Sequence, residues 1–299
     1  MTPEVLERER PYLRGVAYRL LGSAADADDM VQEALVRGAA IDDAQTPRAL
    51  LTTIVTRLCL DELRSARRRR ERYVGPWLPE PVLTPDAAAA APGPADHVGA
   101  AESVSMAFLV LLEALTPDER AVFVLREALD VDFADIAAAV GKSEAACRQL
   151  LHRARGHVAA GRRRFAAPDQ QARLAGRFLG ALAAGDVAAM VELLVDDARS
   201  IADHGGKAQA ARREVVGAAR VARLLCGLAG KAAPLGFASR PAWINGNPAL
   251  IVSHGDVIHA AVVLDVALVD GAPRVVAVHI VRNPDKLGAA LPLLQLTPP

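Results

Sequence analysis

Arginine is where this sequence concentrates its chemistry. Between residues 51 and 73 seven arginines oppose Asp61, Glu62 and Glu71, and between 142 and 164 Lys142 with six arginines opposes only Glu144. The whole chain is neutral, with 35 basic and 35 acidic residues, so these segments are local patches rather than signs of a basic protein. Separated basic patches on a neutral chain point to contact with a polyanion. The second patch has an internal pattern. Phe133 to Val140, Gly141-Lys142-Ser143 and Glu144 to Val158 have the spacing of a helix-turn-helix. Its second helix hides Ala145, Leu150 and Leu151 and offers Arg148, Gln149, His152, Arg153 and Arg155. A helical hairpin with a solvated basic face fits the same spacing; the flank Arg162 to Arg164 favours DNA.

Other constellations carry less. His254, Asp256, His259, Asp265 and His279 include acid–base groups, but they fall near strand ends or on alternating strand positions, and a reading without catalysis is preferred. Gly205-Gly206-Lys207-Ala208 lacks the spacing and the hydroxyl of a P-loop, which argues against a nucleotide site. The histidines are scattered and no ligand pair has helical i, i+4 spacing, so no metal is expected. Cys59, Cys147 and Cys226 lie far apart without a Cys-x-x-Cys pair and read as buried thiols. No catalytic residue and no cofactor are assigned.

The elements that position these groups follow from periodicity. At 299 residues the chain exceeds one typical domain, and 52% hydrophobic against 23% charged residues is enough to bury a core. Residues 1–72 read as a helical domain. Ser23 with Asp26 forms an N-cap, and Thr46-Pro47 opens a third helix that ends in arginines. Residues 73–101, rich in proline and alanine, read as a linker without packed elements through most of their length. Helical periodicity resumes over 102–165, with a capping box at Thr116-Pro117-Asp118-Glu119. From 170 to 299, amphipathic helices around Leu174–Leu182 and Val187–Leu194 precede strands at 238–244, 249–253, 257–269 and 274–281. Asn245-Gly246 and Asp270-Gly271 mark hairpin turns, so an α+β domain with an antiparallel sheet is expected. No apolar run reaches roughly 18 residues and the N-terminus is charged, which predicts a cytoplasmic protein without a membrane partner.

The helical segments resemble a sigma factor of the extracytoplasmic-function class, the subunit that directs RNA polymerase to promoters. One stretch is Asp26-Ala27-Asp28-Asp29-Met30-Val31-Gln32-Glu33 with Thr46 to Val55 and Asp61-Glu62-Leu63-Arg64. The other is Phe133-Ala134-Asp135-Ile136-Ala137 with Ser143 to Leu150 and Arg153-Ala154-Arg155. The resemblance implies two all-α sigma domains, the second a helix-turn-helix, with core RNA polymerase and promoter DNA as partners. It implies that Asp28, Asp29, Gln32 and Glu33 dock on the polymerase. The loop Ile41 to Arg48 and the helix after it would read the minus-ten element. Arg48, Arg57, Arg64, Arg67, Arg68, Ser143, Arg148, Gln149, His152, Arg153 and Arg155 would contact DNA. Leu50 stands where many relatives carry tryptophan.

The last segment resembles a SnoaL-like domain, a cone-shaped α+β barrel fused to one group of these factors. Trp77-Leu78-Pro79-Glu80-Pro81, Asp203-His204-Gly205-Gly206-Lys207 and Asn283-Pro284-Asp285-Lys286-Leu287 carry the resemblance, with His204 replacing the first of three usual glycines. It implies regulation in cis through Trp77, Pro79, Glu80, Asp203, Gly205, Gly206, Lys207, Asn283, Pro284, Asp285 and Lys286, and leaves a small-molecule ligand or protein regulator of the barrel open. The competing reading is a DNA-binding small-molecule sensor or enzyme that uses the barrel pocket.

Overall fold

The computed structural model describes residues 1–41, 46–70, 73–84, 105–159 and 166–290. They fall into two compact units, Met1–Arg72 with Phe108–Arg162, and Tyr73–Ala107 with Arg163–Pro299.

In the helical unit, Pro3 opens α1 (Pro3–Leu21), its missing N–H being one that a first turn leaves unbonded anyway. Ser23 caps α2 (Ala24–Ala39) by accepting from the Asp26 N–H at 3.1 Å, and Pro47 starts α3 (Pro47–Arg70). Leu13, Val16, Leu20, Val31, Leu51, Val55 and Cys59 are buried between the three. After α4 (Met106–Leu112), Thr116 and Glu119 form the expected capping box at α5 (Pro117–Phe123), which continues as a π turn over Val124–Ala128. The helix-turn-helix is α6 (Phe133–Val140) and α7 (Glu144–Ala159), joined by Gly141-Lys142-Ser143.

A buried arginine ties these parts together. Arg120 on α5, 3% exposed, donates to Leu112 O at 3.0 Å and to Leu20 O at 2.9 Å, and it pairs with Glu113 at 2.6 Å. The Leu20 carbonyl lies in the last turn of α1, where the helix leaves carbonyls without partners. One guanidinium thereby joins the N-terminal three-helix group to the helix-turn-helix half.

In the second unit, α8 (Pro168–Ala184), α9 (Val187–Leu193) and α10 (Ala218–Ala232) bury Phe178, Met190 and Val221 against Val266, Val278 and Ile280 of a sheet. The sheet is β1 (Leu194–Asp203), β2 (Val215–Val216), β3 (Ala238–Ile244), β4 (Asn247–His254), β5 (Val257–Val269) and β6 (Ala272–Val281), in the order β2-β1-β6-β5-β4-β3. Two hairpin turns have the left-handed pairs expected of them, Asn245-Gly246 (φ 54° and 69°) and Asp270-Gly271 (φ 50° and 78°).

Two features differ from the pattern-based expectation. The sheet is mixed, because β1 runs parallel to β6 with Ile201 opposite His279. Strand β1 carries Asp196, Asp197 and Arg199, which obscure its apolar alternation, and its partner residues lie 78 to 81 positions further along the chain. The start of the presumed linker also packs. Residues 73–84 form a strap on this unit: Asn245 N–H donates to Val82 O (2.8 Å), Val82 N–H to Asn245 Oδ1 (3.0 Å) and Thr84 N–H to Trp243 O (3.0 Å). Prolines remove donors from the strap, and a turn side chain and an edge carbonyl accept from the N–H groups of Val82 and Thr84. Residues 85–101 of the presumed linker lie outside the described residues.

His279 sits between Val278 and Ile280, so strand alternation turns it away from the helices, and burial pushes its pKa down to about 4. The unfolded chain takes up this proton near pH 6.5, the folded chain only near 4, so stability is complete above 6.5 and falls as pH drops toward 4. The slope is at most about 1.4 kcal/mol per pH unit. Both tryptophans, Trp77 and Trp243, belong to this unit, so denaturant titrations followed by their emission report it. His279→Leu is expected to flatten the decline between pH 6.5 and 5. Arg120→Ala is expected to cost the helical unit about 3 kcal/mol, because Glu113 and two carbonyls lose a buried partner. Far-ultraviolet circular dichroism should show the earlier helical transition while the tryptophan transition stays in place.

Candidate nucleic-acid interface

The turn and α7 place the basic side chains. Ser143 caps α7 by accepting from the Ala146 N–H at 3.2 Å. Arg148 pairs with Glu144 at 2.8 Å and lies over the Phe133 ring, 4.6 Å from its centroid. Gln149 and His152 are exposed beside it. Arg153 and Arg155 turn to another side: Arg153 lies 3.3 Å from Glu119 and Arg155 2.6 Å from Glu127. Burial acts to raise the Glu119 pKa, but the Thr116 N–H and hydroxyl, together with Arg153 and His157, outweigh it and hold the carboxyl below its ordinary range. Glu119 is thus a charged anchor for Arg153.

On α3, Arg48 pairs with the buried Glu9 at 2.6 Å and stacks 4.8 Å over Tyr12, which fixes it to α1. Leu50 is half-buried. Arg57 donates to Ala138 O of α6 at 2.8 Å, and Arg64 reaches Asp118 of α5 at 3.3 Å. Asp118 also holds Lys142 of the turn at 3.0 Å. One carboxylate thus lies between cations of α3 and of the helix-turn-helix. The side chains of Arg67 and Arg68, residues 42–45 of the loop before α3, and the flank Arg162 to Arg164 lie outside what the structure describes.

The acidic helix α2 presents Asp28, Asp29 and Gln32 to solvent, with Glu33 half-buried. Arg14 pairs with Asp28 (2.6 Å), Arg10 donates to Gln32 (3.2 Å) and Arg37 pairs with Glu33 (2.8 Å). Exposed pairs of this kind are worth only about 0–1 kcal/mol and yield readily to a better partner.

A third cluster centres on Asp203, at the end of β1 and inaccessible to solvent. Its Oδ1 accepts from the Tyr73 hydroxyl at 2.5 Å; its Oδ2 accepts from the Leu78 N–H at 2.9 Å and from Lys286 Nζ at 2.6 Å. Lys286, on α11 (Pro284–Ala290), also donates to Leu78 O at 2.5 Å and sits 4.2 Å from the Trp77 ring centroid. Asn283 donates to the Tyr73 hydroxyl at 2.8 Å, and Lys207 pairs with Asp285 at 2.5 Å on the surface. Pro79 and Glu80 of the strap are buried, whereas Pro284 is exposed at the start of α11. Burial, and then Asp203, push the Tyr73 hydroxyl pKa up, so it remains a donor.

Gly205 (φ 55°) must lack a side chain, since a Cβ would stand 2.6 Å from Asn283 Nδ2. His204 accepts the Gly206 N–H through Nδ1 at 3.0 Å, and its Nε2 approaches Gly75 so closely that a Cβ there would be 2.7 Å away. The imidazole that replaces the usual glycine is accommodated by a glycine in the strap. All three sequence motifs therefore meet at Asp203. Tyr73 and Gly75 belong with them and escaped the sequence reading, because nothing local distinguishes them; Asn245, read only as a turn residue, also anchors the strap through Val82.

The five acid–base candidates do not converge. His254 and His259 flank Phe237 at ring distances of 5.2 and 5.1 Å near the β4–β5 turn, with Asp256 exposed in that turn. His279 is opposite Val263 and Asp265 opposite Ala277, further along the β5–β6 ladder. Among the described residues no group of three or more His, Cys, Asp or Glu is placed to hold a metal ion, and no helix is long and apolar enough to cross a membrane.

Comparison with known proteins agrees with this geometry. The model for Sigma-70 region 2 matches residues 5–69, and that for Sigma-70, region 4 matches residues 105–158. The ECF RNA polymerase sigma factor SigJ of Mycobacterium tuberculosis is 45% identical over 249 residues, 81% of this chain and 79% of that protein. The probable ECF RNA polymerase sigma factor SigI of M. tuberculosis is 37% identical over 191 residues, 62% of this chain and 64% of its own. The crystal structure of M. tuberculosis SigJ superposes with a TM-score of 0.75 at 39% identity, covering 96% of this chain and 98% of that one.

Asp203→Asn is expected to cost about 3–5 kcal/mol, because it leaves the Lys286 ammonium buried without its counter-charge. The strap should be released, seen as a red shift of Trp77 emission and faster proteolysis within residues 73–84. Lys286→Met added to Asp203→Asn should recover part of the loss.

Proposed function

This chain belongs to the extracytoplasmic-function RNA polymerase sigma factors, and from that premise we propose how its surfaces divide the work of transcription initiation. The acidic helix α2, through Asp28, Asp29, Gln32 and Glu33, docks on a basic surface of core polymerase. Helix α3 and the loop before it engage the opened minus-ten element, with Arg48, Arg57, Arg64, Arg67 and Arg68 near the backbone. Helix α7 reads the minus-thirty-five element through Arg148, Gln149 and His152, and Arg153, Arg155 and Ser143 support it. The chain acts in the cytoplasm, where polymerase and promoter are. The competing reading, a sensor or enzyme centred on the barrel, is not favoured, since its candidate residues do not share a site.

The C-terminal domain regulates the other two in cis, and the anchoring of the strap carries this reading. Residues 73–84 join the two helical regions in sequence, yet they are held by Asp203, Lys286 and Asn245 of the C-terminal domain. Whatever tightens that anchorage shortens the free tether between the DNA-reading domains. The same reading explains why Arg57 and Arg64 are engaged by Ala138 and Asp118: the free chain is closed, and DNA phosphates replace those partners when it opens. A ligand or protein regulator of the barrel acts only by binding the closed and open states unequally.

In-vitro transcription with core polymerase tests both parts. Asp29→Lys/Glu33→Lys should weaken core binding at least tenfold through like-charge opposition, with helicity unchanged. Truncation before Arg282 should raise transcription by loosening the anchorage. Unchanged core affinity in the double variant would sink the docking role, and equal activity of the full chain and its truncation at matched folded concentration would sink regulation in cis.

A further inference from the structure

The arginines of the recognition helix are similarly exposed but differently partnered. Arg153 and Arg155 are tied to carboxylates of other elements, α5 and the π turn. Arg148 differs in two ways. Its carboxylate partner, Glu144, lies one turn earlier on the same helix, so the pair travels with α7 rather than leashing it to another element. Its guanidinium also rests 4.6 Å from the centroid of Phe133, the first residue of α6.

Phe133 is not a core residue. It is only half-buried, whereas the apolar interior of α6 is formed by Ile136, Ala139 and Val140. A second guanidinium, Arg126, lies 5.6 Å from the same ring and is itself held by Val131 O at 3.0 Å and Asp130 at 3.1 Å. A half-buried phenylalanine with two cations against it gains less from burial than a core residue would. What it gains is electrostatic attraction between ring and guanidinium, and a flat surface that limits where a long side chain can go.

We propose that Phe133 is a positioning residue for promoter readout: its ring and the Glu144 carboxylate hold the Arg148 guanidinium preformed for bidentate contact with a base edge. The proposal rests on the reading above, that α7 enters the major groove, and deepens it by naming what makes one arginine the base reader. Residues near the N-terminal end of a recognition helix reach base edges, and Arg148 lies in the second turn of α7. An arginine that meets guanine O6 and N7 must place two N–H groups in one plane, so a loosely held side chain discriminates poorly. Phosphate contact makes no such demand, which suits Arg153 and Arg155 to backbone duty.

The experiment is transcription by the full chain with core polymerase from a pool of promoter fragments randomised over the minus-thirty-five element, with sequencing of the transcribed fraction. Arg148→Ala should flatten preference at one base pair by about tenfold or more. Phe133→Leu should flatten the same base pair by roughly fivefold, a partial loss of that contact. Phe133→Tyr should retain the preference because it keeps the ring face. Phe133→Leu/Arg148→Ala should match Arg148→Ala alone, and the salt dependence of promoter binding should be unchanged, since no phosphate contact is removed. Phe133→Met, similar in bulk but without a ring, should repeat the leucine result and guards against poor packing of leucine. If Arg148→Ala flattens a position while Phe133→Leu and Phe133→Met keep it, or lower transcription from every sequence alike, the positioning role is overturned. If Arg148→Ala itself keeps every preference, the failure lies with the assignment of Arg148 as a base reader.

Discussion

A carboxylate with no access to water loses hydration worth several kcal/mol and must be repaid in donors and counter-charge. Asp203 obtains three: a tyrosine hydroxyl, a backbone N–H and a lysine ammonium. Two of these come from the strap and one from α11, so the charge is satisfied only when three separate stretches of chain meet at the end of β1. Much of the C-terminal arrangement follows from this demand. Gly205 is there because Asn283 and Tyr73 crowd that point; Gly75 is there because His204 does. The lysine that completes the pair is flanked by Trp77 and Tyr73, which exclude water and offer ring faces to the cation.

The helical unit uses buried charge differently. Arg120 joins its two halves by donating to carbonyls, one of them at the end of α1, where the helix lacks partners of its own. Around it, several exposed cations are held by contacts that cost little to break: Arg64 and Lys142 share Asp118, and Arg57 borrows a single carbonyl. A deep contact thus lies beside shallow, exchangeable ones, an arrangement that fits the proposed contact of these cations with DNA phosphates. Among the described residues, Arg64, Lys142, Arg148, Arg153 and Arg155 of the two basic patches each lie against a carboxylate of this chain.

Local features were legible in the sequence because their causes are local. Ser23, the Thr116–Glu119 box, the two hairpin turns and the helix-turn-helix follow from backbone donors and φ preferences within a few residues, and the structure places each where the pattern predicts it. The family was readable for the same reason, since its motifs are short and ordered along the chain. The acidic composition of α2 and the arginines of α3 and α7 were equally plain, though not which partner each arginine takes.

What tertiary structure alone decided is what depends on residues far apart. The parallel pairing of β1 with β6 sets Ile201 against His279, and no periodicity reports such a partner. The strap reads as linker because proline and glycine signal the absence of regular structure, yet its order comes from Asp203 and Asn245, some 125 and 163 positions away. Phe133 reads as an ordinary apolar helix residue until the turn brings Arg148 over it. In each case the sequence specifies the groups and their chemistry, while their meeting depends on the free energy of the whole fold, which rewards burying a charge only where every donor arrives together.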